Sequence, residues 1–126
     1  MEVKIDTKEK FTVVTPIPPE LTVNIAATIR EKSLEKLQEP IKNIVLNLEN
    51  VFSIEEAAAA VLATLQQEFY EKNTSFVICC LQKPVEAAFA EADMLDVMNI
   101  TPTESEAWDI VQMEEIEREL LGDDDI

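Results

Sequence analysis

The chain has 126 residues, nearly half of them hydrophobic, and a formal charge of −16. That length suits one compact domain burying about two thirds of its unfolded surface. The acidity argues against a nucleic-acid partner, because phosphate-backbone binding relies on Lys and Arg to displace counterions. Histidine is absent and the single glycine is Gly122. Ser-His-Asp triads, HExxH zinc sites, Cys-His nucleophile pairs and glycine-rich phosphate loops are therefore out of reach. No metal or cofactor is expected. No run approaches a membrane span and "MEVKIDTKEKF" lacks a signal-peptide core, so a soluble, cytoplasmic protein is expected.

In chain order, "EVKID" and "KFTVVTPI" predict a hairpin from Val3 to Ile17, ended by "PIPPEL" because proline cannot donate to a sheet ladder. "NIAATIREKSLEKLQ" predicts an amphipathic helix capped by Asn24 and closed by Pro40, with Ile25, Ile29 and Leu37 on one side. "KNIVLNL", Lys42 to Leu48, reads as an inner strand covered on both faces. A second helix follows from about Glu55 to Tyr70, then the strand "SFVICCL". A short helix at "KPVEAAFAEAD" has Pro84 in its first turn, and a weak strand at "LDVMNI" leads to a last helix from "TPTESEAWDIV". The order β, β, α, β, α, β, α, β, α predicts an α/β fold with a mixed, mostly parallel sheet. The domain is expected over 1–120, and the acidic end, 121–126, is expected to be disordered.

Cys79 and Cys80 are adjacent, would point to opposite faces of a strand, and read as reduced packing residues. Trp108 reads as core, and Ala57 to Ala60 as a thin helix face approaching the sheet.

At the start of the second helix, Ser53 to Glu56 spells S-x-x-E, a capping box in which the serine oxygen and the glutamate carboxylate each accept a backbone N–H. "TESE", Thr103 to Glu106, repeats the pattern. Acids there also suit the positive end of the helix dipole. Two neighbouring carboxylates, Glu55 and Glu56, would alternatively serve an acid-base enzyme, which requires a concave pocket at the junction.

"IKNIVLNLENVFSIEEAAAAVLATL" resembles the strand and helix of the STAS domain family, best known from bacterial anti-sigma factor antagonists. The resemblance extends over roughly Phe11 to Val111 through "PIPPELTVNIAATIREKSLEKL", "LQKPVEAAFAEADML" and "ITPTESEAWDIV". It implies the family's fold: an opening hairpin, alternating strands and helices, and about four helices. It also implies a non-enzymatic, protein-binding role in signal transduction and transcription regulation, with an anti-sigma factor, a kinase-like protein or another signalling protein as partner. An accessory role in a transporter or signalling scaffold fits the same residues. Nucleotide binding finds no phosphate loop here.

The family pattern Asp-Ser-Ser/Thr-Gly falls on Glu55, Glu56, Ala57 and Ala58, so no phosphate acceptor remains. A phosphoryl group would add about −1.5 to −2 charge and three acceptor oxygens, whereas Glu56 carries one fixed negative charge. Glu56 either mimics the modified state or marks an unused site. Asn47 replaces the Asp of the family's Asp-Leu, and Pro19 falls where the family has glycine before the first helix. By the same topology, a partner would meet Glu20, Leu21 and Thr22, then Ser53, Ile54, Glu55, Glu56, Ala57 and Ala58, and then Gln82 and Lys83. Leu21 also reads as a buried staple for the first helix.

Overall fold

The computed structural model describes the backbone of residues 2–124 and the side chains of residues 2–120. The opening hairpin joins β1 (Val3–Thr7) to β2 (Thr12–Pro16) in antiparallel register, with Ile5 opposite Val14. β2 pairs in parallel with β4 (Ile44–Asn47), which pairs with β6 (Phe76–Cys79), which pairs with β7 (Ile100–Thr101). The strand order is β1-β2-β4-β6-β7, a mixed, mostly parallel sheet as expected.

Two further strands, unforeseen in the sequence, are β3 (Glu20–Leu21) and β5 (Ser53–Ile54), which form a separate parallel pair. The weak strand expected within "LDVMNI" contracts to the later pair Ile100–Thr101. The four helices are α1 (Val23–Glu35), α2 (Glu56–Glu71), α3 (Lys83–Glu91) and α4 (Glu104–Asp124). The end 121–126, expected to be disordered, continues the backbone of α4 as far as Asp124, while the backbone of 125–126 and the side chains of 121–126 lie outside the described residues.

Side-chain alternation along the central strands divides the core in two. Val14, Ile44, Leu46, Phe76 and Ile78 face a large cluster completed by α1, α2 and α3 through residues such as Ile29, Leu62 and Phe89. Val13, Val45, Val77 and Cys79 face a smaller cluster completed by Ala107 and Val111 of α4. Trp108 is half-buried there, its ring centroid 5.1 Å from that of Phe11, in keeping with a packing role. Of the alanines at 57–60 on α2, Ala58 and Ala59 are buried while Ala57 and Ala60 face solvent, so the run is not one continuous thin face.

With glycine absent from residues 1–121, other residues supply the left-handed backbone at helix ends. Asn73 (φ 58°) closes α2 with bonds from Asn73 N to Tyr70 O and Thr74 N to Phe69 O. Asp93 (φ 57°) closes α3 with Asp93 N to Ala90 O and Met94 N to Phe89 O. Both are Schellman pairs, built on the side chains that best tolerate this conformation after glycine.

Cys80 (φ 66°) is less usual, since a left-handed non-glycine residue costs roughly 1–2 kcal/mol. Its N–H is held by the Thr101 carbonyl at 3.2 Å. Because the strand ends at Cys79, the two thiols do not point to opposite faces: their sulfurs approach to 3.2 Å. Burial, then the Cys80 hydrogen bond, raises the Cys79 thiol well above its ordinary pKa, consistent with a packed, protonated thiol.

Candidate functional site

All parallel strands of the sheet end on one edge, and the turns leaving that edge carry the residues singled out from sequence. The β4-to-α2 turn is organised by Asn47, whose side-chain oxygen accepts the Glu49 N–H at 2.9 Å. Its amide donates to Glu104 Oε1 at 3.2 Å, tying the turn to the start of α4. An aspartate would keep the first bond but not the second, because its carboxylate has no N–H to donate.

Beyond this turn the chain crosses to the segment before α1. The Pro19 carbonyl accepts N–H groups from Phe52 at 2.7 Å and Ser53 at 3.1 Å, and Glu55 N donates to the Leu21 carbonyl at 3.0 Å. A proline at position 19 loses nothing by lacking an N–H, since it serves here as an acceptor.

The capping box expected at Ser53 and Glu56 does not form. Ser53 is committed to β5, and the N-cap of α2 is Glu55, whose side chain makes no bond to its own helix. Its carboxylate instead accepts the Val23 N–H at 2.7 Å, at the first residue of the neighbouring helix α1. Thr22, not Asn24, is the N-cap of α1, with its hydroxyl accepting from Ile25 N at 3.3 Å. The β3–β5 pairing brings the two helix starts together, and Glu55 serves both as backbone cap of one and as side-chain acceptor for the other. At α4 the expected device is partly present: Thr103 Oγ1 accepts the Glu106 N–H at 3.1 Å, while the Glu106 carboxylate meets the Thr103 hydroxyl at 3.4 Å instead of its N–H.

The structure brings Glu20, Thr22, Ser53, Ile54, Glu55, Glu56 and Ala57 to one corner. Glu20, Ser53, Glu55, Glu56 and Ala57 are exposed there, and Thr22 and Ile54 are half-buried. Two residues placed at the partner surface from sequence need correction, and for Leu21 the alternative reading as a buried residue is the one that holds. Leu21 is fully buried, as is Ala58, because β3 and the first turn of α2 turn these side chains into the large core. Gln82 and Lys83 lie at the β6-to-α3 turn, where Gln82 donates to the Glu49 carbonyl at 2.7 Å and Lys83 is exposed. This bond fastens the third turn to the β4 turn, so all three groups share the edge.

Sequence reading missed the apolar part of the corner. Phe52 is 53% exposed, and Ile17, before Pro19, and Val23, at the start of α1, are also exposed. No periodic signal marks this stretch: Leu48 and Val51, three residues apart, are buried, while Phe52 is exposed and its N–H is held by the Pro19 carbonyl next to β5.

A shallow cleft of about 310 Å³ between α2 and α3 is lined by Glu55, Glu56 and Glu91 over Ala59, Ala88 and Ala92. It contains no Lys or Arg to position an anionic substrate. Among the described residues, no three or more Cys, Asp or Glu side chains are grouped to hold a metal ion. No helix among them is long and apolar enough to cross a membrane.

One antiparallel outer strand, four parallel ones, three helices on one face and a fourth on the other define the α/β class of anti-sigma factor antagonist folds. The STAS domain family model matches residues 2–107, and the chain belongs to that family. A protein of Thermotoga maritima assigned as an anti-sigma factor antagonist superposes with TM-score 0.72 at 20% identity, covering 87% of this chain and 94% of its own. The antagonist SpoIIAA in its unphosphorylated form gives 0.70 at 19%, covering 87% and 96%. The murine anion transporter Slc26a9 gives 0.68 at 15%, covering 86% of this chain and 18% of the transporter. Sequence comparison with curated proteins finds no match.

Proposed function

We propose that this STAS domain is a protein-binding regulatory module, without chemistry of its own, that docks a signalling partner at the corner formed by β3–β5, the start of α2 and the β6-to-α3 turn. One observation carries the reading: an exposed aromatic, Phe52, stands beside exposed carboxylates at an edge whose backbone is already held by Pro19, Leu21 and Glu55. Such a surface is preorganised, so little ordering entropy opposes docking. Phe52 and Val23 supply an apolar anchor, and Glu20, Glu55 and Glu56 supply a negative rim that selects a partner with basic residues there.

The partner acts with the domain inside the cell, as an anti-sigma factor or kinase-like protein does with an antagonist. The corner keeps one charge state, because Glu56 and Ala57 leave no hydroxyl where the family accepts phosphate. Tagged protein purified from its native cytosol recovers a specific partner, and Phe52→Ser releases it. Incubation with a kinase-type partner leaves the intact mass unchanged. Recovery of no partner across growth conditions, or phosphate at residues 55–58, contradicts the reading. The fold shared with the Slc26a9 transporter supports a second reading, an accessory module of a membrane transporter. A recovered partner with membrane spans separates the two.

A further inference from the structure

The last helix has a second surface, on the other side of the sheet from α1, α2 and α3. Its inner face is fixed by both packing and polar bonds. Ala107 and Val111 enter the smaller core. Further along, Glu114 accepts hydrogen bonds from Tyr70 at 2.8 Å and from Ser75 at 2.6 Å, Glu115 accepts from Asn43, and Arg118 donates to Ser75 at 3.1 Å. These contacts define the inward face of α4, and its opposite face is turned toward solvent.

That face carries Met113, Ile116 and Leu120, which are 59%, 56% and 63% exposed. The spacing i, i+3, i+7 places them in one stripe. Three adjacent large apolar side chains on one helix, each more than half exposed, are unlike the scattered single residues of an ordinary surface. The stripe also lies beyond residue 107, where the match to the STAS family model ends.

Charge indicates what covers it. Asp109 lies in line with the stripe, Glu117 and Glu119 flank it, and all three are exposed. Arg118, the one base between Glu104 and Leu120, is turned inward to Ser75. On α4 itself, the outer face therefore presents an apolar seam whose flanking charges are negative. A second copy would set acid against acid across the seam in a chain of net charge −16, which opposes self-association.

We propose that the outer face of α4 is a docking helix for a partner segment of complementary kind: an amphipathic helix whose apolar stripe is bordered by Lys and Arg. Met113, Ile116 and Leu120 are its anchors, in the manner of helix-to-groove recognition, and the flanking acids fix partner choice. This goes beyond the corner docking site and does not depend on it.

A direct test uses fluorescence anisotropy on the full chain. The probe is a labelled synthetic helical peptide with leucines at i, i+3, i+4 and i+7 bordered by lysines. A matched peptide has glutamates at those borders. The lysine peptide binds, with an affinity that falls as salt rises. Ile116→Ser, which changes no charge and alters an exposed position, weakens it by about tenfold or more, as expected for an anchor at the centre of a helix contact. Phe52→Ser, in the separate corner, leaves it unchanged. Failure of the lysine peptide to bind at low salt, equal affinity for the glutamate peptide, or an unaltered affinity in Ile116→Ser overturns the proposal. So does sedimentation showing a dimer that Ile116→Ser dissociates, since a second copy would then be the occupant.

Discussion

The two edges of the central sheet use their polar groups in opposite ways. Where the parallel strands begin, Asn43, Ser75 and Asn99 stand at the starts of β4, β6 and β7 and are joined into one network. Asn43 accepts the Ser75 N–H at 2.9 Å and donates to the Lys10 carbonyl at 3.2 Å; Asn99 donates to Tyr70, and its own N–H is held by Gln66 at 2.8 Å. Glu114, Glu115 and Arg118 of α4 close over this network. Where the strands end, the turns are braced mainly by backbone bonds, and Phe52, Glu55, Glu56 and Lys83 are left facing water. The starting edge ties its polar side chains into one network, whereas the finishing edge uses Asn47, Glu55 and Gln82 as separate braces and leaves Phe52, Glu56 and Lys83 exposed.

The contrast breaks most readily at Asn43. Asn43→Ala strands the buried Ser75 N–H and the Lys10 carbonyl, and is expected to cost about 2–3 kcal/mol in urea unfolding. It leaves partner capture by the surviving folded fraction intact. If it destabilises by no more than a surface change, the starting edge is not the locked one.

Tyr70 tests the same edge through pH. Burial first, then the hydrogen bond and charge of Glu114, raises its phenol above the ordinary value of 10.0. A raised folded-state pKa means the folded chain holds that proton more tightly than the unfolded chain, so its contribution is complete below the unfolded pKa. Stability is then lost as pH rises through 10.0 and beyond, toward the folded pKa. Tyr70 is the single tyrosine, so tyrosinate absorbance reads it alone. The titration is expected to lag behind that of free tyrosine until the chain unfolds, and Tyr70→Phe is expected to flatten the alkaline decline. An ordinary titration midpoint would mean the network is open to water.

At the other edge the effects on stability shrink while those on binding grow. Glu55→Ala removes the acceptor of the Val23 N–H and is expected to cost about 0.5–1 kcal/mol, the range of a lost helix cap. Phe52→Ser is expected to change stability by no more than about 0.5 kcal/mol, as at other exposed positions, yet to release the partner. A large stability loss with partner retained would make Phe52 structural.

Most of the fold was legible in the sequence because periodicity reports which faces are buried. The apolar run at Ile44 to Leu48, the proline that opens α3 and the alternating order of strands and helices each predicted their elements. The candidate corner was legible in its residues but not in its bonds. Ser53, Glu55 and Glu56 sit in a pattern that reads equally well as a local capping box, and only the pairing of β5 with β3, more than thirty residues away in sequence, redirects Glu55 to Val23. Two-residue strands carry too few side chains to leave a periodic signal, so that pairing had no signature of its own. The same limit left Leu21 with two readings, surface contact or buried staple, because its burial depends on β3, and it hid Cys80, whose left-handed backbone brings its thiol toward Cys79.

Amide shift mapping is the decisive check on the proposed docking of a partner at the unmodified corner. Isotope-labelled protein with an unchanged intact mass is titrated with the partner recovered from its native cytosol. Perturbed amides are expected at 17, 20–23, 52–60 and 82–83, with residues 43, 75 and 99 unmoved. Shifts centred on 43, 75 and 99, or binding that appears only after phosphorylation of this chain, would contradict it.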